Sequence, residues 1–111
     1  MAVKDVFDVY DGTVSGLDQM IDLPDLSRYS EATVYVCVEN PNDSTTTKVY
    51  LHEVFPSHND ISDVVDIFTV ENKEKDTKRW SIPSPLGNSY RLGVNAPSEG
   101  IRLVVSVLAV I

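Results

Sequence analysis

Residues 101–111 read IRLVVSVLAVI, and the alternation inside this run decides the architecture. Ile101, Leu103, Val105, Val107, Ala109 and Ile111 fall on one side, and all are apolar. The other side carries Arg102, Val104, Ser106, Leu108 and Val110, mixed at first and apolar towards the end. A period of two is the signature of a β-strand, and the uniformly apolar side is its core face. A half-buried strand alternates cleanly along its whole length, so Leu108 and Val110 stand out, and with the terminal Ile111 they are the candidate protein interface. Two covers suit them: residues 14–30 folded across them, or a partner subunit, since exposed apolar patches mark contact sites. A bilayer does not suit them. A spanning helix needs about 20 apolar residues, and one strand cannot cross without a closed barrel.

The same alternation recurs along the chain. In Ala32–Glu39, Val34, Val36 and Val38 share one face while Thr33, Tyr35 and Cys37 share the other. The cluster Asn40-Pro41-Asn42-Asp43 breaks this run with turn-forming residues. Residues 46–55 then resume with Val49, Leu51 and Phe55 on one side, which reads as a hairpin with the preceding strand. Residues 56–63 (PSHNDISD) read as a polar loop, and 64–70 (VVDIFTV) as a further strand. Further strands are expected over 3–10, 79–82 and 90–96. Residues 14–30 read as a strand plus an irregular connection, because Gly16 and Pro24 confine any helix. The sum is an all-β chain: a single antiparallel β-sandwich of about seven to eight strands spanning 1–111.

Composition narrows the function classes. The chain has 111 residues, 42% of them hydrophobic, enough for one domain with a core. Its formal charge of −8 argues against nucleic acid and against an anionic membrane surface. The charge is polarised: residues 1–66 hold 13 acidic and 3 basic side chains, and residues 67–111 hold 4 and 6. The halves therefore carry −10 and +2. Such a domain either shows two solvated faces of opposite sign or packs head to tail or against a charged scaffold. A lone Cys37 forms no internal disulfide and reads as a small buried hydrophobe. The start, MAVKDVFDVYDG, lacks the basic and apolar regions of a signal peptide, so assembly inside a cell is expected and the sequon at Asn42 is silent.

Residues 80–100, WSIPSPLGNSYRLGVNAPSEG, carry a family look. Trp80 and Ile82 point one way, a Pro-Leu-Gly corner follows, and Tyr90, Leu92, Val94 and Ala96 alternate inward to a Gly100 turn. This resembles the E–F corner and F–G hairpin of fibronectin type III and other immunoglobulin-like sandwiches. The resemblance implies that Tyr90 is the corner tyrosine, its hydroxyl bonding an upstream backbone group, and that 101–111 is the last strand. The likeness covers residues 79–111. It departs from the family in a shorter corner, in the absence of an early-strand tryptophan, and in having no cysteine pair. A jelly roll is the alternative connectivity.

No catalytic signature is present. The glycines are scattered singly, with no phosphate loop, dinucleotide fingerprint or nucleophile elbow. His52 and Glu53 fall on opposite faces of a strand, so with His58 they read as surface residues and not as a metal site. The oxygens of Asn59, Asp60, Asp63 and Asp66 lack the spacing and glycine of an EF-hand loop. Cys37 sits inside a strand without a base beside it. No metal, cofactor or enzymatic activity is expected. Small β-sandwich proteins of virions, which coat a shell or decorate a tail, are similar in size and character. That resemblance implies an accessory protein binding capsid or tail subunits, with a homo-oligomer among its expected states. The alternative is a carbohydrate- or peptide-binding module in which Tyr35 and Tyr50 stack across the first hairpin.

Overall fold

The computed structural model describes residues 4–82 and 89–111. These described residues form eight strands: β1 (Lys4–Val14), β2 (Gln19–Asp22), β3 (Glu31–Glu39), β4 (Thr47–Phe55), β5 (His58–Val70), β6 (Lys75–Ile82), β7 (Tyr90–Asn95) and β8 (Ile101–Val110). They make two four-stranded antiparallel sheets, ordered β1-β8-β3-β6 and β2-β7-β4-β5. The expected all-β sandwich is present.

Its connectivity is that of the jelly roll. The pairs β1·β8, β2·β7, β3·β6 and β4·β5 are nested one inside the next. The chain is thus one long hairpin, with its tip between β4 and β5, rolled over so that β8 also pairs with β3 and β7 with β4. Two Greek keys closed in this way define the fold. The F–G hairpin implied by the immunoglobulin-like resemblance is not formed, because β7 and β8 lie in opposite sheets. The hairpin expected between residues 32–39 and 46–55 is also replaced by a crossover, with β3 in one sheet and β4 in the other.

The core lies between the sheets, and the alternation read from the sequence places it there. Val34, Val36 and Val38 of β3 are buried, as are Leu103, Val105, Val107 and Ala109 of β8. Trp80, Ile82, Leu92, Val94 and Ala96 point inward as expected. In β4 the inward set is Val49, Leu51 and Val54, while Phe55 is exposed. The phase slips because the β4–β5 ladder is irregular between Leu51 and His52 and again before Phe55.

The polar stretch 56–63 is not a loop, for β5 begins at His58. Pro56 and Ser57 alone make the turn, with Phe55 paired to His58 and Ser57 at φ 62°. Proline fixes the negative φ of the first turn residue, and serine takes the left-handed one. Asn40 is buried and binds three turns together. Its amide nitrogen donates to the carbonyls of Thr45 (2.8 Å) and Glu71 (3.3 Å), and its oxygen accepts from the Asn42 amide side chain (2.9 Å). Asn42 in turn donates to the Gly100 carbonyl at 3.2 Å. Gly100 sits at φ 87°, where a Cβ would lie 2.9 Å from the Thr13 methyl group.

Leu103 is fully buried at the centre of the β8 core face. Leu103→Ala is expected to lower the unfolding free energy by about 2–5 kcal/mol in urea titration. A change within about 0.5 kcal/mol would show that the β8 odd face is not core.

Candidate functional site

The sandwich presents two outer faces and two flanks, and each candidate residue falls on one of them. Leu108 and Val110 lie on the outer face of the β1-β8-β3-β6 sheet, half-buried between their neighbours. Leu108 pairs with Val6 and Thr33, and Val110 with Lys4 and Glu31. Val6 is 71% exposed and Ile111 55%, so these residues form an apolar strip beside the β1 edge. Residues 14–30 do not cross this strip. Leu26 and Tyr29 are instead buried in the core, Tyr29 edge-on to Phe7 with ring centres 6.0 Å apart. The Tyr29 hydroxyl donates to Asp5, and Arg28 lies 3.5 Å from the same carboxylate. Only Ser30 reaches the strip's backbone, donating to the Val110 carbonyl through its amide at 2.8 Å.

Tyr90 is half-buried at the start of β7, paired with Glu53 of β4. Among the described residues its hydroxyl donates to the Glu53 carboxylate at 3.1 Å. This is a cross-strand tie within one sheet. The corner-to-backbone bond that the resemblance implies falls on residues 83–88, which lie outside the described residues. Burial, and then the Glu53 carboxylate, raise the Tyr90 pKa above its ordinary value.

Cys37 is free and half-buried on the outer face, beside Tyr35, and not in the core. Its parity is that of Thr33 and Tyr35, opposite to the buried valines. The Arg79 guanidinium stacks over the Tyr35 ring at 5.3 Å. Tyr35 and Tyr50 cannot stack on each other, because β3 and β4 belong to different sheets. Among the described residues no three of His, Cys, Asp and Glu stand close enough to hold a metal ion.

Two features escaped the sequence reading. The first is the exposed apolar row of β5, the edge strand of its sheet, where Ile61, Val64, Val65 and Ile67 stand 42–56% exposed. Its pairing skips Val65, so Val64 and Val65 both stand clear of the core. Long exposed apolar edges are ordinarily blunted in monomers, so this one is a candidate contact surface. The second is a depression of about 250 Å³ on the outer face of the same sheet. Gly93 makes its floor, and Met20, Tyr50, His52, Val64 and Asn95 are among its walls. A Cβ at Gly93 would come within 2.8 Å of His52 Nε2, so the missing side chain is what leaves the space. Burial and the nearby Arg91 lower the His52 pKa, leaving a neutral ring beside Tyr50. Asn95 donates to the Tyr50 hydroxyl at 3.4 Å.

Behind β5 the two sheets are clasped by one residue. Asp66 accepts the buried Trp80 indole N–H at 2.8 Å and the Ile67 amide at 2.9 Å, with Lys78 3.7 Å away. The Trp80 bond is the first cause holding the Asp66 carboxyl below the ordinary range. β5 and β6 therefore share one flank of the sandwich, and β1 and β2 share the other.

No family model matches the chain, and no curated protein is similar to it. Solved structures share its fold. A subunit of Bacillus endospore appendages, described as disulfide-linked pili, superposes with a TM-score of 0.53 at 6% identity, over 98% of this chain and 85% of that one. The xylan-binding CBM22-2 domain of Paenibacillus barcinonensis Xyn10C gives 0.55 at 12% identity, over 98% and 86%. PirA gives 0.53 at 12% identity, over 92% of each chain. At these identities the likeness is one of fold.

A tyrosine whose pKa rises on folding keeps its proton in the native state after the unfolded chain has lost it. Tyr90 therefore leaves stability unchanged below about pH 10, and stability falls as pH climbs from there through the folded value. Tyr90→Phe is expected to flatten that fall, read as urea midpoints over roughly pH 8 to 11. Equal slopes for the two proteins would remove Tyr90 as the titrating group.

Proposed function

We propose that this chain is a non-enzymatic structural protein that works by binding neighbouring protein subunits. The observation that carries the reading is the exposed apolar flank: Ile61, Val64, Val65 and Ile67 along β5, with Val6, Leu17 and Met20 exposed elsewhere on the surface. A soluble monomer seldom leaves so long an apolar edge open. The pilus subunit of like fold shows that this framework serves assembly elsewhere. Jelly rolls also build viral capsid domains, which is analogy at the level of fold. The finer reading is a virion accessory protein, made in the host cytoplasm, that decorates or cements a shell or tail by contact with capsid or tail subunits.

Val64→Lys/Ile67→Lys is expected to weaken capture by purified capsid or tail particles at least tenfold, with an unchanged melting midpoint. Surface substitutions of this kind alter stability by about 0.5 kcal/mol or less, so lost capture reports on the contact. Particles that bind both proteins equally, or neither, would refute the reading.

A second reading is favoured by the Gly93 depression. Tyr50 and the neutral His52 form a partly apolar wall beside the Asn95 amide, a setting suited to a sugar ring or an extended peptide. Tyr50→Ala should then abolish binding on a glycan array while the fold persists. An array on which the unaltered protein binds nothing would leave the depression without a saccharide ligand.

A further inference from the structure

We infer that copies of this chain associate head to tail, the β6 edge of one against the β1 edge of the next and β5 against β2, so that both sheets run on. This rests on the assembly reading above and names the partner as a second copy.

The strand order supplies the geometry. In each sheet neighbouring strands are antiparallel, so the two edge strands of a four-stranded sheet also run in opposite directions. Sliding a copy sideways, without turning it over, therefore sets β6 antiparallel to β1 and β5 antiparallel to β2. Edge strands carry unpaired N–H and C=O groups that such a neighbour satisfies.

Charge supplies the specificity. β1 carries Lys4 against Asp5, Asp8 and Asp11, one basic and three acidic, for a net of −2. β6 carries Lys75, Lys78 and Arg79 against Asp76, three basic and one acidic, for a net of +2. β1 against β1 sets acid on acid, and β6 against β6 sets base on base. In the first sheet only the unlike pairing is attractive. The second sheet carries acid on both edges, Asp60, Asp63 and Asp66 on β5 and Asp22 on β2, so the specificity rests on β1 and β6.

The registers show that the ends of single cross-sheet rows are complementary. One row runs Asp8–Ser106–Tyr35–Arg79 across the first sheet. A sideways copy brings its Asp8 beside Arg79. In the second sheet a row runs Met20–Gly93–Tyr50–Ile67. There the copy brings Met20, 48% exposed, beside Ile67, also 48% exposed. Acid meets base in one sheet and apolar meets apolar in the other, at matched levels. The bulge at Val9 divides the β1 edge into two straight segments, Lys4–Asp8 and Tyr10–Val14, the first level with Arg79 and the second with Lys75–Lys78. A contact of this kind does not close as a two-fold dimer. It builds an open filament or a large ring, turned slowly by the twist of the sheets.

Two charge-reversed proteins test this. Asp8→Lys/Asp11→Lys makes both edges of the first sheet basic, and Lys75→Glu/Arg79→Glu makes both acidic. Analytical ultracentrifugation and negative-stain microscopy are expected to show the unaltered chain growing past a dimer as concentration rises, less so at high salt. Each variant alone should need at least tenfold higher concentration to associate. An equimolar mixture should regain assembly, alternating the two chains, and that recovery also shows both are folded. A dimer of fixed mass, a monomer at every concentration, or a mixture that stays monomeric would each overturn the head-to-tail contact. If such a monomer is still captured by particles through Val64 and Ile67, the assembly reading stands and the self-contact alone is lost.

Discussion

The structure depends on β8 being hydrogen-bonded along both sides. All ten of its residues pair with β1 on one side and nine, Arg102 to Val110, with β3 on the other, while its odd residues fill the core. Once β8 lies between β1 and β3, those two strands are no longer neighbours and the first sheet must close through β6. The second sheet repeats the arrangement, with β7 held between β2 and β4. Every other feature is a consequence of this double occupancy. The chain can satisfy it only by rolling a long hairpin over itself, since most contacts then join residues distant in sequence.

Such a roll leaves four edges, two on each flank, and the flanks differ in character. The β5/β6 flank is tied by Asp66, which receives the Trp80 indole across the gap between the sheets. A buried indole N–H without an acceptor would be costly, so this bond fixes how β5 sits relative to β6. It also explains why β5 can expose so much apolar surface outward: its inward positions, Phe68 and Val70, are already anchored in the core. The β1/β2 flank is tied differently, by Asp5 accepting from Tyr29 while Arg28 stands beside it. Both clasps use a carboxylate from an edge strand and an aromatic donor reaching from the core. The edges beyond them are left with their backbone groups facing outward.

Much of this was legible in the sequence, and the remainder was hidden for physical reasons. Alternation in 32–39 and 101–111 names the buried valines correctly, because period two survives whatever a strand pairs with. Pairing itself is not local. The turn formers after Glu39 look the same whether the chain folds back in one sheet or crosses to the other, and Asn40 binds distant turns that no local pattern announces. β5 was cut short because Pro56 and Ser57 make a two-residue turn without the Asn-Gly or Asp-Gly pair that usually marks one. The Tyr90 pattern resembles a corner, yet Tyr-x-Leu-x-Val suits any half-buried strand, and the cross-strand bond to Glu53 follows only from register. Of the candidate interface, Leu108, Val110 and Ile111 could be read as an excess of apolar residues. Their neighbour Val6, and the β5 row opposite, emerge only from register.

That register also links the two surfaces of the second sheet. Met20 is one wall of the Gly93 depression and one end of the row that finishes at Ile67, while Val64 is a wall on the opposite side. A molecule resting on Tyr50 therefore touches the same side chains that a neighbouring copy would cover at its edge. Occupancy of the depression and occupancy of the flank cannot be independent, because both draw on the methionine and valine that border Gly93. The polarity of the first sheet has no such tie, since Asp8 and Arg79 stand on the far side of the core from the depression. On the proposed readings, electrostatic choice of a neighbour and contact with a ligand would thus be carried by different sheets. The apolar ends of the second sheet are where the two meet.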